Sequence, residues 1–115
     1  MTKSDYQWQF VQCLGLLFGY AMFLGVKLTL GRGYVSPEAN AAEGGHERST
    51  HLHGLGQDLN LFVDIDDDGE PDYIRYGNPM WQKLGEYWES LHELARWGGR
   101  WGDHNHFSFE WQGVK

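Results

Sequence analysis

Residues 57–63 read Gln-Asp-Leu-Asn-Leu-Phe-Val. Leu59, Leu61 and Val63 fall on one face of an extended chain, and Asp58, Asn60 and Phe62 on the other. That period of two predicts a strand with one face on the core. The residues around it predict the elements it must pair and pack with. Upstream, residues 26–30 alternate Val, Lys, Leu, Thr, Leu, a second strand, and a glycine turn follows at 31–33. Downstream, residues 64–72 form an acidic loop, and residues 107–111 alternate again as a final strand.

Helices are expected between these strands. Ser4 and Asp5 are placed to cap one starting near Tyr6, with Phe10, Leu14, Leu17, Phe18 and Ala21 at helical spacing and Gly25 as its terminator. Ser36-Pro37-Glu38 opens a short helix to about Glu43, which Gly44-Gly45 ends. Asn78-Pro79 opens a third, over about 80–95, with Leu84, Tyr87, Trp88 and Leu91 as its apolar stripe. Gly98-Gly99 breaks the chain after it. This order predicts an α+β fold, helices packed on a small antiparallel sheet.

At 115 residues, the chain is the size of one domain, 1–115. Its net charge of −7 and lack of a basic stripe argue against nucleic acid and against stable association with an anionic membrane. Aromatic residues reach 16%, six of them Trp, and in a small domain these are expected mainly in the core. Cys13 is the single cysteine, so no intrachain disulfide forms; it reads as a small buried hydrophobe. Residues 11–30 are apolar but interrupted by Gly15, Gly19, Gly25 and Lys27, with no positive cluster before them and no cleavage site after. The expectation is a monomer made in the cytoplasm without a signal peptide.

Two clusters carry the chemistry. In Ser49-Thr50-His51-Leu52-His53-Gly54-Leu55-Gly56-Gln57-Asp58, a His and an Asp stand seven apart with glycines between them to fold the backbone back. In Asp103-His104-Asn105-His106, an Asp precedes a His by three, just before the last strand. Two His and a carboxylate form a catalytic zinc set with one position left open. A further carboxylate that is not a ligand can move the proton of an attacking water. His53, two residues from His51, is the rival ligand; His46, His92 and His104 read as surface residues.

These motifs resemble the family of zinc D-alanyl-D-alanine carboxypeptidases and L-alanyl-D-glutamate endopeptidases, which shares its fold with the hedgehog signalling domain. Ser49, His51 and Asp58 match its first motif, and Asp103 and His106 its second. The compact phage and prophage members are more similar still, through Asp-Leu-Asn-Leu-Phe at 58–62, Leu-Gly-x-Tyr-Trp at 84–88, Trp-Gly-Gly at 97–99 and Asn-His-Phe-Ser at 105–108. The likeness runs from about residue 6 to the end. It implies a hedgehog-like fold, zinc on His51, Asp58 and His106, and Asp103 as general base. It further implies a lysin that cleaves peptidoglycan stem peptides, at the L-Ala–D-Glu bond, in the periplasm after release or delivery. Alternatives are a D-Ala-D-Ala carboxypeptidase or dipeptidase, and a weakly active wall-binding protein that zinc only stabilises.

The sequence departs from the family at Gly31-Arg32-Gly33-Tyr34-Val35, where Val35 stands in place of the family's arginine. Arg32 is the nearest substitute for contact with substrate or oxyanion, and Arg48 the second. Separately, Asp64, Asp66, Asp68-Gly69 and Asp72 match the start of a calcium loop. Arg75 stands where that loop needs a bidentate Glu, so a solvated acidic turn is the simpler reading.

Overall fold

A computed structural model describes all 115 residues. In chain order the elements are α1 (Lys3–Leu24), β1 (Lys27–Leu30), α2 (Pro37–Ala42), a 3₁₀ turn (Thr50–His53), β2 (Gly56–Val63), β3 (Asp72–Ile74), α3 (Pro79–Ser90), β4 (Ala95–Trp97), a second 3₁₀ turn (Gly98–Trp101) and β5 (His106–Phe109). The architecture is α+β: three helices and a five-stranded sheet in which every pairing is antiparallel.

β2 is the axis of that sheet. One edge pairs with β1, from Lys27↔Phe62 to Leu30↔Leu59. The other edge is divided: Gly56, Gln57 and Asp58 pair with β5, while Leu61, Phe62 and Val63 pair with β3. β5 then takes β4 on its far side. Leu59 and Leu61 are fully buried, as their alternation predicts. Behind them α1 contributes Phe10, Cys13, Leu17 and Ala21, and α3 contributes Trp81, Leu84 and Trp88. Trp88 joins three elements, its indole N–H facing the carbonyls of Arg96 (3.1 Å) and Ser108 (3.2 Å). Of the aromatics, Trp81, Trp88 and Trp97 are core, while Trp8 and Trp101 are exposed. No helix is long and apolar enough to cross a membrane.

Several boundaries differ from expectation. α1 starts at Lys3 because Thr2, rather than Ser4 or Asp5, is its N-cap. Asp5 is the reciprocal member of the capping box: its carboxylate accepts the Thr2 N–H (2.7 Å) while its own N–H donates to Thr2 Oγ1 (3.2 Å). α3 stops at Ser90, well short of residue 95. Ala95–Trp97 is drawn out of the helix as β4 because the free edge of β5 offers it hydrogen-bond partners, Ala95 opposite Phe109. β3 follows the acidic loop, overlapping it at Asp72, where the sequence predicts no strand. The last strand begins one residue early, at His106, and ends at Phe109; Trp111 instead bridges to Val114 in a separate turn.

Two helical glycines give opposite expectations. A Cβ on Gly85 of α3 would run into the Trp97 ring, whereas one on Gly19 of α1 meets nothing within 4 Å. Gly19→Ala should therefore stabilise by about 0.5–1 kcal/mol, as helix propensity dictates. Gly85→Ala should destabilise by about 1–3 kcal/mol through overpacking, despite the same propensity gain. Denaturant unfolding of the two variants reads both signs, and a stabilised Gly85→Ala would refute the packing.

Candidate metal centre

His51 lies in the 3₁₀ turn that precedes β2. Ser49 caps this turn, its hydroxyl accepting the His51 N–H (3.2 Å). Gly54 closes it in the left-handed region, at φ 66°. Gly56 is needed for a different reason: a Cβ there would collide with the Thr50 hydroxyl, so only glycine lets the turn fold flat against β2. Asp58 is then the third residue of β2, and its partner in the ladder is His106, the first residue of β5. Directly opposed residues of an antiparallel pair project to the same face.

The three side chains converge. Asp58 Oδ1 is 3.3 Å from His51 Nε2 and 3.1 Å from His106 Nδ1. One ligand atom from each lies within 4.8 Å of the others, a spacing that could hold a metal ion. Both imidazoles are buried, at 6% and 5% exposure. Their remaining nitrogens have outer partners. His51 Nδ1 is 3.0 Å from the Gly33 carbonyl, which can only accept, so Nδ1 carries a proton and Nε2 is the nitrogen turned towards Asp58. His106 Nε2 is 3.4 Å from the hydroxyl of Thr50, which is fully buried. Gly33 is held in place by the segment after β1, where Gly31 N–H donates to Asp58 O (2.8 Å) and Asp58 N–H to Arg32 O (2.7 Å). Nothing in the sequence singled out Thr50 or the Gly33 carbonyl except their closeness to the motif residues. His53 points elsewhere, hydrogen-bonded to the Lys3 ammonium (2.7 Å) and outside the ligand group.

A cleft of about 390 Å³ opens on the three residues. Asp103 lines it but is not among the residues that could share the ion. The loop holding it is tied down at both ends, Asp103 N–H to Gly98 O (2.8 Å) and His106 N–H to Asp103 O (3.1 Å). Trp101 is a further wall, its ring 6.1 Å from that of His106. Glu110 instead pairs with Arg96 (3.5 Å) and does not line the cleft. Arg32 reaches the cleft, but its guanidinium is engaged by Asn40 Oδ1 (2.8 Å) and Glu43 Oε2 (3.2 Å) of the α2 region. Val35 takes part through its backbone, donating to His51 O (3.2 Å). Arg48 lines the same cleft. Another groove, between α1 and β1, is lined by Phe18, Met22, Leu28 and Leu30 and has no titratable group with which to do chemistry.

The acidic loop does gather Asp64, Asp66, Asp68 and Asp72. Asp64 accepts the Asp68 and Gly69 N–H groups (3.2 and 2.9 Å), and Asp68 that of Glu70 (2.8 Å), the pattern of a self-satisfied turn. Burial, a hydrogen bond with Asp68 and the charge of Asp72 together raise the Asp66 carboxyl above its ordinary range.

Asp58 behaves in the opposite way. Burial works against its ionisation, but hydrogen bonds from His106 and His51, and then their charge, hold it down from 3.8 to about 2. A carboxyl lowered in the folded state adds stability above its unfolded value, and that stability is lost as pH falls through the folded value. A shift of this size is worth about 2 kcal/mol. In metal-free protein, unfolding free energy should therefore drop by about that much between pH 3.8 and about 2, over and above any drop in Asp58→Asn. Denaturant titrations across that window measure the difference; parallel curves for the two proteins would refute it.

No protein-family model matches this sequence, and no curated protein matches it, so a functional assignment rests on the residues of the site itself.

Proposed function

We propose that this chain is a zinc-dependent peptidase of hedgehog-like fold that hydrolyses peptidoglycan stem peptides at the L-Ala–D-Glu bond, as a phage or prophage lysin acting at the cell wall. The observation that carries this reading is the convergence of His51, Asp58 and His106 at one point, with Asp103 in the same open cleft. Two imidazole nitrogens and a carboxylate oxygen suit zinc, and an open fourth side is the mark of a catalytic site rather than a closed structural one. When bound, zinc supplies Lewis-acid polarisation of the scissile carbonyl and a lowered pKa for water.

The chain's own residues do the rest. Gly33 and Thr50 orient the two imidazoles from behind, so the ligand atoms face the cleft. Asp103, exposed and outside the ligand set, takes the proton of the attacking water and returns it to the departing amine. Trp101 offers a flat apolar wall against which the peptide lies. The openness of the cleft weighs against a purely structural metal. A D-Ala-D-Ala carboxypeptidase would use the same groups on a different bond, and mass analysis of wall fragments separates the two activities.

Protein purified without added metal should contain about one equivalent of zinc, as a three-ligand site requires. His51→Ala, His106→Ala and Asp58→Asn should lose it, while His53→Ala keeps it. Asp103→Asn should retain both zinc and fold yet lose on the order of 10²–10⁴ in rate, the usual worth of a general base. Elemental analysis together with digestion of purified peptidoglycan, with and without chelator, reads all of these. Zinc loss from Asp103→Asn with retention in Asp58→Asn would reverse the two aspartates, and metal-independent digestion would sink the reading.

A further inference from the structure

The chain carries a net charge of −7, yet the cleft over the candidate metal centre is rimmed by Arg32, His46, Arg48 and Lys115. The only carboxylates lining it are Asp58 and Asp103, one a candidate ligand and the other the candidate base. An acidic protein that concentrates cations around one opening focuses an attractive field for anions there. We infer that the substrate bears a free carboxylate close to the scissile bond, and that Arg48 is the specificity-determining residue that holds it. This rests on the peptidase reading and adds to it the charge of the peptide.

The three permanent cations among them, Arg32, Arg48 and Lys115, are not equivalent. Arg32 is already neutralised by Glu43 (3.2 Å) and fixed by Asn40 (2.8 Å), so it serves the α2 region. Asn40 is buried and also holds the His46 carbonyl (2.9 Å), which anchors the loop leading to Arg48. The Arg48 N–H donates to His46 Nδ1 (3.0 Å), setting the backbone of Arg48 itself. Its guanidinium forms no ion pair and no hydrogen bond, and lies 3.8 Å from where a Cβ on Gly113 would stand. Lys115, beyond that same turn, holds its ammonium 5.7 Å from the centre of the Trp101 ring and likewise forms no ion pair. Arg48 and Lys115 thus line the cleft from adjoining segments, with one fork-shaped donor left free.

A guanidinium with a fixed backbone and unused donors is suited to a carboxylate, which it grips through two parallel hydrogen bonds. Lys115 adds attraction as a point charge without that geometry. Arg48 lines the same cleft as the ligand group and Asp103, so a carboxylate on the residue adjoining the scissile bond is the group it is placed to hold. An amide at that position is neutral and leaves the cation unpaired, so the site discriminates by charge.

The test uses two peptides, L-Ala-D-γ-Glu-L-Lys with the D-Glu α-carboxylate free and the same peptide with that group amidated, the lysine carboxyl being amidated in both. Wild type should favour the acid in kcat/KM by about tenfold, the worth of one rim-exposed charge-assisted contact, and the ratio should shrink as salt is raised. Arg48→Gln should bring the ratio towards one, with Arg48→Lys intermediate. Wild type that treats the two peptides alike overturns the inference. So does Arg48→Gln losing both equally, since that would place Arg48 on the carbonyl common to both. Should neither peptide be cleaved, the peptidase reading is what has failed, and calorimetric affinity of zinc-free and zinc-loaded protein decides the inference separately. Tighter binding of the acid, abolished in Arg48→Gln, sustains it; equal or absent binding of the two peptides refutes it.

Discussion

Antiparallel pairing of β2 with β5, in the register that sets Asp58 opposite His106, is the constraint on which the site depends. These residues are 48 apart in sequence, and no local preference brings them together. The ladder fixes their Cα atoms and sends both side chains to the same face, so the 3.1 Å approach follows from the register. A slip of one residue would turn Asp58 towards the core and destroy the cluster while leaving the strand content intact.

The register is held from behind. Leu59 and Leu61 are buried on the core face of β2, and Phe107 and Phe109 are fully buried on β5. Phe10 and Trp88 meet the Phe109 ring, at 5.4 and 5.9 Å between centroids, so α1 and α3 both close on the same strand. Each of these large side chains would have to leave the core if the ladder shifted. The apolar core therefore positions a polar site on the opposite face of the same two strands. It also explains why a chain with a single cysteine needs no disulfide to hold two distant histidines in place.

The third side chain of the cluster arrives by a different route. His51 sits on a turn rather than a strand, and its place depends on the glycine contacts that press this turn against β2 and on the Gly33 carbonyl behind the ring. The strands thus supply two of the three side chains, and the turn supplies the third. Asp103 is carried by a third segment, a loop fastened to Gly98 and to His106, which leaves it lining the same cleft without joining the cluster.

Much of this was legible in the sequence, and for local reasons. The alternation at 57–63 fixed the central strand, and Ser36 and Asn78 marked two helix starts through their own side chains. The His-to-Asp spacing with its glycines identified His51 and Asp58, because a short turn into a strand is a local geometry. What depended on partners was not legible. β3 and β4 are three residues each, too short to show a period, and exist because β2 and β5 had free edges to satisfy. The choice of His51 over His53 for the cluster was made by the direction in which the turn faces β2, leaving His53 to Lys3. Which of Arg32 and Arg48 keeps a free guanidinium was decided by Asn40 and Glu43, which occupy that of Arg32 and leave that of Arg48 unpaired. Sequence carries a residue's chemistry and its local geometry; which long side chain finds a partner is settled only when distant segments pack.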